Sequence, residues 1–98
     1  MELTLRQTLA RMLAHGEHSA LDLARALLLT PREVEEHLTH LARSQRGRLR
    51  VEPARCRHCG HVFRDRRRLD APGRCPRCRQ EMVEGPWFSL PDPGLTAN

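Results

Sequence analysis

Four cysteines carry the clearest chemistry in this chain. Two residues separate Cys56 from Cys59, two separate Cys75 from Cys78, and fifteen lie between the pairs. That spacing is in the range of a four-thiolate zinc site. Two residues between thiolates let one tight turn aim both sulfurs at a point. Amides in that turn can hydrogen-bond to the sulfurs and offset their charge. Two such knuckles face to face offer four sulfurs in a tetrahedron, with no open position, so the expected ion is structural rather than catalytic. Gly60 suits the left-handed backbone that such a turn often needs. Pro76 stiffens the second knuckle, where Arg79 stands at the place a second glycine would be expected.

Disulfides would need an oxidising compartment. The N-terminus begins with Met1-Glu2 and shows no apolar h-region or small-residue cleavage site, so the expected location is cytoplasmic. A redox C-x-x-C normally occurs once and opens a helix, whereas here there are two in a stretch without helical periodicity. Iron is the more serious rival, because rubredoxin holds iron between paired C-x-x-C knuckles and sulfur spacing does not separate the two metals. Zinc ranks first, since closed four-cysteine sites are mostly structural zinc. With four cysteines filling the tetrahedron, His58 and His61 read as exposed loop histidines. Between Ala54 and Val83 the apolar residues available for a core are Val62, Phe63, Leu69, Met82 and Val83. So few cannot offset an ordering cost of roughly 1–2 kcal/mol per residue. A bound zinc supplies on the order of 10–16 kcal/mol, so the segment is expected to need its metal.

Ninety-eight residues make one domain or two very small ones. The longest apolar run is Ala26–Leu29, far short of a membrane span. Phe63, Trp87 and Phe88 are the only aromatics, too few for a module that reads single strands by stacking. All seventeen basic residues are arginine. Residues 1–45 hold five Arg and six acids, about −1, and residues 46–98 hold twelve Arg and six acids, about +6. Four thiolates around one dication would bring the formal +5 to about +3.

Three helices precede the cysteines. Thr4 and Gln7 form a capping box ahead of Leu5, Leu9, Met12 and Leu13, and His15-Gly16 ends that helix. Ser19 and Asp22 open the second, with Leu23, Ala24, Leu27 and Leu28 as its inner face. Thr30, Pro31 and Glu33 open the third, whose stripe is Val34, Leu38 and Leu41 and whose end falls near Ser44, with Gly47 allowing the turn. Only Leu29 and Thr30 remain between the second and third helices, a link short enough to force a steep helix-turn-helix crossing. Arg48–Glu52 alternates as a strand, with Leu49 and Val51 on one face. Gly85-Pro86 is a turn, and Trp87–Leu90 is strand-like.

The run from Leu23-Ala24 through Leu27-Leu28-Leu29-Thr30-Pro31 to Val34, His37-Leu38 and Leu41 resembles winged helix-turn-helix transcriptional regulators, especially small bacterial metal-responsive repressors. Leu28 stands where that family often carries glycine. The resemblance covers about half the chain. With Pro53–Phe63, which holds Cys56-Arg57-His58-Cys59-Gly60, the whole chain is similar to a small group of prokaryotic winged helix-turn-helix regulators with a rubredoxin-like zinc ribbon. The resemblance implies an α+β fold: a three-helix winged helix-turn-helix over residues 1–53, completed by a wing strand at 86–90. A four-cysteine zinc ribbon at 54–84 is inserted between the wing strands. Residues 91–98 read as a disordered tail.

In such a fold the third helix enters a DNA major groove. The expected contacts are Arg32, Glu36, Thr39, His40 and Arg43 on that helix, Arg46, Arg48 and Arg50 at the wing, and Arg66, Arg67 and Arg68 between the knuckles. Glu33, Glu35 and Glu36 weigh against the groove reading, because phosphates repel carboxylates; a solvated helix face is the lesser alternative, and Glu33 is explained by capping. Arg55, Arg57, Arg64, Arg74, Arg77 and Arg79 add to the ribbon's charge, which suits either a phosphate-gripping patch or plain solubility. His15, His18, His37 and His40 lack the acids or cysteines of a second metal site. Double-stranded DNA is therefore the first expected partner, with a homodimer or a protein partner as further expectations. An adaptor built on the same scaffold is the alternative function. A nickel metallochaperone matches only in the ribbon, and an iron electron carrier ranks lower. Neither a membrane partner nor a small-molecule substrate is expected. Without a Gly-rich phosphate loop, a Ser/His/Asp set or an open metal position, the chain does not read as an enzyme.

Overall fold

A computed structural model describes residues 4–45, 48–64 and 72–90. Arg46, Gly47, Arg66, Arg67, Arg68, Leu69 and the tail 91–98 lie outside the described residues. The element order is α1 (Leu5–His15), β1 (His18–Ser19), α2 (Ala20–Leu27), α3 (Pro31–Ser44), β2 (Arg50–Glu52), β3 (Arg55–Cys56), β4 (Val83–Glu84) and β5 (Trp87–Ser89).

All three helices begin with the same device. The hydroxyls of Thr4, Ser19 and Thr30 accept from the N–H groups of Gln7, Asp22 and Glu33. Those three side chains accept in return from the N–H groups of the capping residues. Each box satisfies two donors that a helix start leaves open, so helix boundaries are written locally in the sequence. Their apolar stripes then meet. Leu9 and Leu13 of α1, Ala20, Leu23 and Ala24 of α2, and Val34, Leu38 and Leu41 of α3 form one buried cluster.

A three-stranded antiparallel sheet in the order β1-β5-β2 closes this cluster. Ser19 faces Trp87 on one side and Glu52 faces Trp87 on the other. Phe88 and Leu90 join the helical core, and the Leu90 N–H bonds to the Leu13 carbonyl at 2.9 Å. A second sheet pairs β3 with β4, matching Arg55 to Glu84 and Cys56 to Val83. Gly85 joins the two sheets at φ 79°, and a Cβ there would stand 2.7 Å from the Trp87 ring. Both constraints call for glycine.

Several expectations change. Leu28 is not on the inner face of α2. It is the helix C-cap at φ 56°, its N–H bonds to the Ala24 carbonyl, and its side chain is 91% exposed. It takes the left-handed conformation that ends helices, usually with glycine. The link between α2 and α3 is thus Leu28–Thr30, and Leu29 packs against the core instead. The strand at 48–52 begins only at Arg50. Leu49 packs against the core, while Val51 is exposed, because no described element covers its side chain. The two-residue β1 was not anticipated; His18 and Ser19 read in sequence only as a helix entry. Among the ribbon's described residues Met82 is exposed, Val62, Phe63 and Val83 are half-buried, and Ala54, Pro72, Cys56 and Cys75 are buried.

Candidate functional site

The two cysteine pairs fold into matching knuckles. In the first, Cys56 N–H donates to the His61 carbonyl at 2.8 Å, and Gly60 N–H donates to the Cys56 carbonyl at 2.9 Å. In the second, Cys75 N–H donates to Gln80 at 3.0 Å, and Arg79 N–H donates to Cys75 at 2.8 Å. Gly60 sits at φ 80° and Arg79 at φ 64°, the same place in each turn. Arg79 therefore adopts the glycine-like conformation that the geometry demands.

The knuckles bring the four sulfurs together, all within 4.8 Å of one another. Cys56 and Cys78 Sγ are 3.5 Å apart, and Cys59 and Cys75 Sγ are 3.6 Å apart. A tetrahedron with metal–sulfur bonds of about 2.3 Å has edges of about 3.8 Å. The donor set thus fits one tetrahedral ion. Cys56 and Cys75 are buried, Cys78 is half-buried and Cys59 is exposed.

The protonation pattern points the same way. The Cys59 N–H is the chief influence on Cys56 and holds its thiol below the ordinary value. Burial is the largest influence on Cys75 and pushes it up, but the N–H groups of Cys78 and Arg77 outweigh it and bring the thiol down to about 7. Arg77 N–H lies 3.4 Å from that sulfur. The Gln80 N–H pulls Cys78 down, yet burial and the three neighbouring sulfurs win and push it up to about 12. Four sulfurs this close cannot all ionise alone, and a dication removes the conflict.

Behind the knuckles the ribbon is tied to the sheet. Arg55 Nε contacts Glu84 Oε1 at 3.2 Å, Arg57 Nε lies 3.9 Å from Glu84 Oε2, and the Arg55 guanidinium sits 5.3 Å from the Trp87 ring centroid. Arg74 pairs with Glu81 at 3.5 Å. These three arginines are exposed but paired with acids of the ribbon. Arg64, Arg77 and Arg79 carry no ion pair among the described residues. In the sequence Trp87 reads only as the start of a strand, and nothing distinguishes Glu84, a clamping acid, from a surface one. His58 is exposed, but His61 is half-buried and stacks edge-on against Phe63 at 4.9 Å.

On α3 the exposed residues Arg32, Glu36, His40 and Arg43 follow one helical stripe. Arg32 Nε lies 3.9 Å from Glu36 Oε1, an exposed i, i+4 ion pair. Glu33 is turned into the capping box, and Glu35 is half-buried. Thr39 is half-buried and donates its hydroxyl to the Glu35 carbonyl at 2.9 Å, so it is less available than the stripe residues. Arg48 and Arg50 are exposed at the start of β2.

Three helices, a small antiparallel sheet and a four-cysteine ribbon built to hold one metal ion define an α+β zinc-ribbon protein. Residues 53–92 match the PF0610 rubredoxin-like zinc beta-ribbon domain, and residues 4–51 match the PF0610-like N-terminal domain. The solution NMR structure of protein PF0610 from Pyrococcus furiosus is 31% identical, with a TM-score of 0.66, over 90% of this chain and 89% of that one. The chain belongs to the PF0610 family. No curated protein sequence matches it. Among the described residues no helix is long and apolar enough to cross a membrane.

Proposed function

We propose that this chain is a DNA-binding transcriptional regulator of the winged-helix kind, with its zinc ribbon set between wing strands β2 and β5. The observation that carries the reading is the α2–α3 pair with its exposed stripe of Arg32, Glu36, His40 and Arg43. A helix presented this way can lie in a major groove while nearby arginines grip phosphates. One of the three acids that opposed this reading is accounted for, Glu33 by its cap. Cys56, Cys59, Cys75 and Cys78 would hold zinc in preference to iron. The ion would supply folding energy and fix the loops that carry Arg64, Arg77 and Arg79.

A second reading has its own observation. Leu21 on α2 is 54% exposed and Leu28 at its C-cap is 91% exposed, two apolar side chains that a protein partner could cover. Fluorescence anisotropy of the zinc-loaded chain with labelled duplex DNA across a salt series separates the two. DNA binding gives micromolar affinity with a steep negative log–log slope. Replacing Arg32 and Arg43 with Ala weakens it, and so does replacing Arg66, Arg67 and Arg68. Absence of binding at low salt from a folded, zinc-replete sample overturns the DNA reading in favour of the adaptor.

A further inference from the structure

We infer that the free edge of β2 is a self-association surface whose partner is a second copy of this chain. The sheet order leaves β2 with β5 on one side and no strand on the other among the described residues. Arg50, Val51 and Glu52 are all exposed, and Val51 presents an apolar side chain that is 42% exposed. Neither Arg50 nor Glu52 has an ion-pair partner among the described residues.

The order of these three residues selects both the partner and the register. Suppose two copies of β2 pair antiparallel about a two-fold axis through Val51. Arg50 of each copy then faces Glu52 of the other, and Val51 faces Val51. Shifting the register by two residues sets Arg50 against Arg50 or Glu52 against Glu52. Only the centred register makes two opposite-charge cross-strand pairs around an apolar one. Short edges bearing charge usually resist pairing because the charges repel. Here the alternation of sign turns that defence into complementarity toward an identical strand. The contact is isologous, as a two-fold dimer requires.

Three residues bury far less than the roughly 1,200–2,000 Å² of a stable complex. The dimer is therefore weak and set by concentration, and two neighbouring half-sites on a duplex would strengthen it. In it Arg50 meets Glu52 of the other copy, which leaves Arg48 to meet phosphate at the wing. The test needs no DNA, so it stands or falls apart from the DNA reading.

Sedimentation of the zinc-loaded full chain over a wide concentration range is the experiment. The expected result is a monomer–dimer equilibrium. Glu52→Arg alone and Arg50→Glu alone each convert two attractive pairs into repulsive ones and weaken it by about tenfold or more. Mixing those two variants restores association as a heterodimer, and the double variant Arg50→Glu/Glu52→Arg restores the homodimer. Emission from Trp87, the sole tryptophan, verifies folding of each variant. A chain that stays monomeric throughout overturns the inference. So does a dimer that Glu52→Arg leaves unchanged, or one that the double variant does not recover.

Discussion

The helical half and the ribbon reach order by different physics. Ten buried residues from three helices and β5 pack into one cluster in the helical half, so burial of apolar surface drives its folding. Among the ribbon's described residues the buried ones are two small or cyclic ones, Ala54 and Pro72, and two of the cysteines, Cys56 and Cys75. Its hydrogen-bonded turns aim four sulfurs at one point, and so few apolar residues leave coordination as the expected source of its remaining stability. The same chain thus holds a region with an apolar core beside one built around a metal-binding set of cysteines. The seam between them is Gly85–Trp87, where Arg55 covers the indole and Phe88 enters the helical core.

The largest way to break the comparison is to take the metal away. A chelator, or Cys75→Ser, removes stabilisation on the order of 10–16 kcal/mol from the ribbon. Amide signals from Arg57 to Val83 should collapse, while those of Leu9, Leu23 and Leu38 persist and the helical circular dichroism holds. If the helices melt with the ribbon, the two regions are one cooperative unit and the contrast fails. Metal analysis of the same preparation reads zinc over iron. The converse cut is Phe88→Ala, which empties the centre of the helical cluster. A cost of about 3–5 kcal/mol is expected, a large share of the roughly 5–15 kcal/mol available to a small domain. Urea melts followed by helical signal should shift strongly, with the metal still bound at stoichiometric chelator challenge.

Legibility in the sequence divides along the same line. The helix starts were readable because each capping box is a contact between residues three apart. The metal ligands were readable because each knuckle closes within six residues, from Cys56 to His61 and from Cys75 to Gln80. What stayed hidden depends on pairing across long separations. β1 exists only because His18 and Ser19 meet Phe88 and Trp87, and two residues carry no period of their own. Glu84 became a clamp only once β4 lay beside β3. Val51 alternated as though buried, but alternation says which face a residue takes, not whether anything covers that face.

A smaller effect tests the local logic of the helical half. Thr30→Ala should cost about 1 kcal/mol by removing the α3 cap. The Thr30 N–H is the main reason the Glu33 carboxyl lies below its ordinary value, helped by the Thr30 hydroxyl. A depressed carboxyl stabilises the fold above its unfolded-state pKa, and that contribution fades as pH falls through the folded-state value. Acid titration by circular dichroism should therefore show a small loss below the ordinary glutamate range, absent in Glu33→Gln. An unchanged acid limb in that variant would show that the box contributes nothing through charge. The ribbon also weakens in acid, because protons compete with the metal for sulfur, so the titration is followed at helical wavelengths in the metal-replete chain.

The smallest effect is the sharpest comparison, because the two regions share one backbone device. Leu28 ends α2 at φ 56°, and Arg79 closes the second knuckle at φ 64°. A side chain in that conformation costs about 1–2 kcal/mol relative to glycine. Glycine gives back about 0.4–1 kcal/mol through the freer unfolded chain. Leu28→Gly and Arg79→Gly should each stabilise by about 0–1.6 kcal/mol. The Leu28 gain should appear in urea melts of the helices, since a side chain 91% exposed contributes little burial. The Arg79 gain should appear as tighter metal retention against a chelator, since the knuckle forms with its ion. If Arg79→Gly instead moved the helical melt and left metal retention alone, order in the knuckle would be coupled to the core and not to coordination. If Leu28→Gly destabilised α2, the exposed leucine would be contributing in the folded chain, and the strain would not be the deciding cost. Opposite outcomes at two positions of equal backbone geometry would show that the surroundings, not the turn, set the energy of a left-handed residue.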